Sequence, residues 1–511
     1  MPSSAIVKNV LTCFILLVLC IVVGAQAAEN RTISVGIIAA LVGGCFMLWL
    51  GPRCWVLIFL FPPVFSLLPM PGKLAVIPVP FLIGLVVLGY WIVMWGMGYV
   101  KFKWRGLLIL DLTILLLAAY MALSYYRHPV SMDVLGYETE FVGGKEYVYC
   151  LLGCLFYIAI SSIPCSYEQI LPVMKWAVRL SVVGCLVGIG LGLSGYLRGY
   201  GDFEEDFSGS RFGMFLQLGM YGIYVLYGMH PMSRVLLSPF RLIGCGLSCF
   251  AILLSGWREQ MMAAGCITIV LSFIKRELWC LMLVLLSFYA SLIYLSKEDV
   301  VQQLPFGVQR SISILPGVKV SDEVESDASH SSDWRIVMWK WALDPRTGYI
   351  KDYVWGDGFG ISTDFLRRET TATMRNTYNY ELREQFAVTG VWHNGAITAV
   401  HRLGYVGLGI IAWVYALGLA LLVRVCRALR GNPLYLPSLF LILPYAGQPS
   451  LFFISAGTIV KFFNTFVTLA MIKFFYCVAR EQGLLTPLFV RRQYVPLAIR
   501  SHEQSMQSGT F

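Results

Sequence analysis

Long apolar runs separated by short polar loops dominate the chain up to about residue 296 and return after residue 402. A membrane-crossing helix needs about 20 mostly apolar residues. Such runs lie near 10–28, 33–50, 54–70, 75–99, 106–124, 148–163, 171–195, 211–229, 234–255, 259–274, 278–296, 403–423, 433–453 and 455–478. The pattern predicts an all-α, polytopic integral membrane protein with about 12–14 transmembrane helices and one long loop. The run at 54–70 contains Pro62, Pro63 and Pro69. These remove backbone hydrogen bonds that lipid does not replace, so a broken or re-entrant helix is expected there. The first run, preceded by Lys8 and followed by Ala25-Gln26-Ala27, also fits a cleavable signal over residues 1–27. Four parts follow: residues 1–296 with about eleven spans, an extramembrane loop at 297–402 with short helices, residues 403–478 with about three spans, and a polar tail at 479–511.

Composition supports this division. The chain is 58% hydrophobic and 13% charged, against about 45–50% and about 25% in soluble globular proteins. That excludes a soluble enzyme, a disordered regulator and a nucleic-acid-binding domain. The net charge of 39 − 29 = +10 is read as a topology signal, because Lys and Arg stay on the cytoplasmic side. With the N-terminus inside and the sides alternating, the inner loops hold Arg53, then Lys101, Lys103 and Arg105, then Arg234 and Arg241, then Lys275 and Arg276, then Arg424, Arg427 and Arg430. The tail adds Arg480, Arg491, Arg492 and Arg500. The outer loops hold Asp133, Glu138, Glu140 and Glu146, and Asp202, Glu204, Glu205 and Asp206. The 297–402 loop falls outside.

The fourteen cysteines lie in or beside apolar runs, with none between Lys297 and His393. They read as small hydrophobes and not as a disulfide framework or a zinc site. In the long loop, the acidic stretch from Ser321 to Asp327 reads as locally mobile. From Asp333 to His393 the loop is rich in Trp, Tyr and Arg, and Trp334, Met338 and Trp341 mark one apolar helical face.

Four basic residues fall on the outer side from separate segments: Arg211, Arg258, Arg335 and His393. Each has a plain reading as well. An Arg at a helix end snorkels to the interface; Arg258 beside Glu259 suits an ion pair; Arg335 suits a solvated loop charge; His393 beside Trp392 suits the interface, with His401 the competing histidine. Together they suit one kind of chemistry. Guanidinium binds phosphate oxygens bidentately, and imidazole takes a proton near neutral pH. That combination fits metal-free displacement of a phosphorylated leaving group. Trp334, Trp339, Trp355 and Trp392 offer flat surfaces that suit sugar rings, or an interfacial belt. No outer His/Asp/Glu/Cys cluster has ligand spacing, the nearest being Asp202, Glu204, Glu205 and Asp206, so neither a metal nor a cofactor is expected.

At these residues the chain resembles the O-antigen ligase and O-antigen polymerase superfamily of bacterial envelope glycosyltransferases. The resemblance runs from about Arg211 to Gly407. It rests on Ser-Gly-x-Arg at Ser255–Arg258, Arg-x-x-x-Trp at Arg335–Trp339, Gly-x-Gly at Gly356–Gly358, and His393-Asn394 followed by Leu403-Gly404-Tyr405-Val406-Gly407. It departs from the family after Arg211, where Phe215-Leu216-Gln217-Leu218 replaces the expected Asn-Pro-Asn, and in having more spans than ligases. The resemblance implies transfer of a glycan from undecaprenyl diphosphate to a glycolipid or glycan acceptor hydroxyl, on the periplasmic face of the bacterial inner membrane. It implies that Arg258 and Arg335 hold the diphosphate and that His393 activates the acceptor. Arg211, Trp339, Trp392 and Asn394 would contact substrate. A repeat-unit polymerase of the same superfamily differs only in its acceptor. A transporter of lipid-linked glycans or solutes would instead place ionisable residues at mid-membrane, where Asp111 and Lys461 are the main candidates. Neither the glycan nor the oligomeric state is legible.

Overall fold

The computed structural model describes residues 53, 55–60, 88–89, 91–98, 103, 105, 108–130, 141–163, 165–193, 213–279, scattered positions between 282 and 294, 298–313, 317–362 and 392–485. The expected spans at 10–28 and 33–50, most of those at 54–70, 75–99 and 278–296, Arg211, and the acidic loop at 202–206 lie outside the described residues.

The described chain is helical. Its longer helices are α1 (Ile109–Arg127), α2 (Lys145–Ser161), α3 (Tyr167–Leu193), α4 (Gly213–Ile223), α5 (Pro239–Leu254), α6 (Arg258–Lys275), α7 (Phe306–Ile312), α8 (Asp322–Leu343), α9 (Gly395–Leu429), α10 (Tyr435–Leu441) and α11 (Ile459–Glu481). One short antiparallel pair, β1 (Phe141–Val142) with β2 (Ile361–Ser362), ties the chain before α2 to the long loop. Among the described residues, four helices are long and apolar enough to cross a membrane: α1, α3, α9 and α11. A fifth span results if α10 and the following segment to Ile454, bent by 42°, count as one. The chain is therefore a helical membrane protein. Segments expected as spans at 148–163 and 234–255 form the shorter apolar helices α2 and α5.

α11 is the centre of the bundle and packs against α2 and α9, while α1 packs against α9 and α2. Phe462, Phe463, Phe466, Phe474 and Phe475 of α11 are all fully buried. In lipid, packing of this kind rather than the hydrophobic effect holds helices together. A polar tie adds to it. Lys473 donates to Asp111 at 2.7 Å, Tyr157 donates to the same carboxylate at 2.6 Å, and the other carboxylate oxygen accepts from the Leu108 amide at 2.6 Å. Lys473 and Asp111 are both buried. This intramembrane pair corrects the expectation that named Asp111 and Lys461, since Lys461 lies exposed at the start of α11. At the same end of the bundle, Glu481 pairs with Lys103 at 3.0 Å and Arg105 at 3.5 Å.

The opposite end is organised by a break in α9. Gly404 has φ +67 and ψ −177, so two helical pieces meet there at an interrupted hydrogen-bond ladder. The loop at 351–358 fills the gap. The amides of Asp357 and Gly358 donate to the carbonyls of His401 and Arg402 at 2.8 and 3.1 Å. Below the break, the amides of Tyr405 and Val406 donate to Tyr353 and Val354 at 2.8 and 3.2 Å. Tyr120 of α1 donates to the Leu403 carbonyl at 2.6 Å. Irregular backbone near a bilayer survives only where protein satisfies it, and here the loop does so. A side chain at Gly404 would collide with the Val354 carbonyl, and one at Gly356 with the Leu403 amide. Two of the sequence motifs, Gly356-x-Gly358 and Leu403–Gly407, thus face each other.

α8 departs from expectation at its start. The acidic stretch read as mobile forms its first turns, with Asp322, Glu323 and Glu325 where negative charge favours a helix N-terminus. Val324 is fully buried against Val301, Ile312 and Val320.

Candidate functional site at the loop end of the bundle

Asn394 begins α9. Its side-chain oxygen accepts from the amides of Ala396 and Ile397 at 2.9 and 3.2 Å, an N-cap. Its amide nitrogen donates to the Phe453 carbonyl at 3.2 Å, fastening the start of α9 to the π-helical turn at Leu451–Ala456. Gly395 lets the two backbones approach, since a side chain there would strike the Phe452 ring. Trp392, on the other side of His393, is fully buried in a cluster with Met338, Ala342 and Ile397. Its carbonyl accepts from Trp339 Nε1 at 2.8 Å, and its amide donates to Thr398 Oγ1 at 3.3 Å.

His393 is therefore held between two pinned neighbours. Its φ is +49. Among the described residues only Arg276 shares a positive φ without being glycine, and Arg276 ends a helix. A left-handed histidine at a helix start is uncommon, and such backbone persists where surrounding contacts impose it. The imidazole is half-buried. Burial lowers its pKa first, the positive charges of Arg335 and Lys461 lower it further, and Glu259 pulls the other way. The result is an imidazole neutral at physiological pH, able to accept a proton.

Those interactions show which residues gather at the site. Arg335 is half-buried on α8, Glu259 half-buried on the first turn of α6, and Lys461 exposed on the first turn of α11. Arg258, half-buried, is the first residue of α6 and adjoins Glu259. The starts of α6, α9 and α11 all lie at this end, and helix N-termini carry partial positive charge. At this end lies a cavity of about 310 Å³, lined by the rings of Trp257, Tyr415, Phe452 and Phe462 together with Glu259, Gln260, Gln448 and Lys461.

The structure separates the residues named from sequence. His393 and Arg335 come within electrostatic reach of each other, and Arg258 adjoins Glu259, which also acts on His393. Trp392 has no ring face open to a sugar, Trp339 spends its N–H on Trp392, and Asn394 spends its amide on backbone. All three hold the backbone around His393. His401 is buried one helical segment away. Its Nδ1 accepts from Trp392 Nε1 at 3.1 Å and its Nε2 lies 3.6 Å from Asp357. Because the indole nitrogen only donates, His401 carries its proton on Nε2 and is committed to this chain of contacts. Sequence reasoning missed the cavity residues Tyr415, Gln448 and Phe462; nothing in their local pattern marks them among ordinary apolar-run residues. No group of three or more His, Cys, Asp or Glu suited to a metal occurs among the described residues. No known family model matches the chain, and no curated protein matches it.

Proposed function

We propose that the protein is a membrane glycosyltransferase of the O-antigen ligase kind, moving a glycan from undecaprenyl diphosphate to an acceptor hydroxyl on the outer side of a bacterial inner membrane. The observation that carries this reading is His393, a half-buried imidazole with lowered pKa, set among the cationic charges of Arg335 and Lys461 beside a cavity. In this reading the acceptor hydroxyl gives its proton to the imidazole, and its oxygen attacks the anomeric carbon. The bond from that carbon to the diphosphate breaks, and the diphosphate leaves with the electron pair. Arg258 and Arg335 stabilise the charge that grows on it, in a setting partly shielded from water where such stabilisation is strong. His393 then returns its proton to solvent. No metal is required.

A repeat-unit polymerase would use the same groups with a different acceptor. A transporter is the second reading, favoured by one observation: two interrupted helices, α9 with its break at Gly404 and the 435–454 pair with its 42° bend, both contribute to the cavity lining, and discontinuous helices also build transporter sites. The test is full-length protein in nanodiscs with lipid-linked glycan and candidate acceptors, with and without chelator, beside a flux assay in vesicles. Transfer that survives chelator and is lost in His393→Ala supports the proposal. Flux without transfer would establish the transporter.

A further inference from the structure

The cavity has two kinds of lining residue and a small volume. About 310 Å³ lies at the lower end of the range for small-molecule sites, about 300–1,000 Å³. That is room for one ring-sized group. Aromatic rings of Trp257, Tyr415, Phe452 and Phe462 supply its apolar lining. Glu259, Gln260 and Gln448 add a carboxylate and two amides to the lining, a set that both accepts from and donates to hydroxyls. A pyranose offers C–H faces to aromatic rings and a rim of hydroxyls to carboxylate and amide groups. Lys461 adds something the amides do not. It lines the cavity and is exposed, and an ammonium is a point charge suited to an anion rather than to a hydroxyl.

We infer that the cavity is a subsite for a single pyranose ring bearing an acidic substituent, with Lys461 reading the acid and Glu259, Gln260 and Gln448 reading the hydroxyls. The inference rests on the transferase reading, in which the ring is either the donor's first sugar or the acceptor's terminal sugar. Both sources share this chemistry, and kinetics separates them.

The experiment is saturation-transfer NMR on full-length protein in nanodiscs with methyl glucoside and methyl glucuronide as probes. Both should bind, the glucuronide about fivefold tighter, the upper size of a partly exposed ion pair. Lys461→Met, a change at an exposed position, should erase that preference and leave the glucoside unchanged. Gln448→Leu should lose both sugars. Absence of sugar binding to the native protein would overturn the inference, as would a glucuronide preference that persists in Lys461→Met. In the transfer assay, a raised donor KM in Gln448→Leu assigns the ring to the donor, and a raised acceptor KM assigns it to the acceptor. Sugar binding without any transfer would keep the subsite and remove the transferase reading; transfer without sugar binding would do the reverse.

Discussion

Burial and the charges of Arg335 and Lys461 hold the pKa of His393 below the ordinary 6.5, with Glu259 opposing. A base works only when deprotonated, so transfer should decline on the acid side with a midpoint below 6.5. Lys461→Met removes a positive charge and should raise that midpoint; Glu259→Gln removes a negative one and should lower it. A pH–rate series on the three proteins measures this, and shifts of the opposite sign in both variants would remove His393 as the titrating group. Folding stability follows the same sign. The unfolded chain protonates this histidine before the native one does, so His393 subtracts from stability as pH falls below 6.5. His393→Ala should cost about 10²–10⁴-fold in transfer, the usual contribution of a positioned base, with donor binding nearly intact. Arg335→Ala should weaken donor binding as well, and Arg335→Lys should recover only part of it, since a point charge cannot reproduce the guanidinium fork.

The same histidine depends on the elements around it. Gly404→Ala would force a side chain into left-handed backbone against the Val354 carbonyl. It should destabilise by about 1–3 kcal/mol or more and expose the amides of Asp357 and Gly358 to hydrogen exchange. Unchanged protection there would show that the loop does not depend on the break. Much of this region was legible as motif but not as structure. The apolar pattern begins a span at 403, yet α9 begins at Gly395, because Thr398, His401 and Arg402 are buried and polar and interrupt the apolar period. Their partners come from the loop, as where Arg402 donates to the Gly358 carbonyl at 3.0 Å. The acidic start of α8 misled for a related reason. Composition alone reads as mobile, whereas one buried Val324 and a favourable helix terminus suffice to order it.

Across the whole molecule, apolar runs disclose where helices lie but not which of them meet. Asp111 and Lys473 pair across 362 residues, and Lys473 is hidden within a run that reads as one more span. Lys473→Met leaves a buried carboxylate without its counter-charge and should cost about 3–5 kcal/mol. Lys473→Met with Asp111→Asn should recover much of that loss. Apparent melting temperatures in detergent order the three proteins; equal damage from the single and double variants would show the pair is not coupled. Gly404 has one more effect at this scale. A helix that must match its bilayer tilts when the hydrocarbon thickens or thins. The 351–358 loop is bonded to both pieces at the break, so it is the pivot about which the 405–429 segment can lean without driving the 395–403 segment as a rigid rod. The imidazole therefore keeps its setting as the lower helix leans, and turnover should change little among nanodiscs of different acyl-chain length.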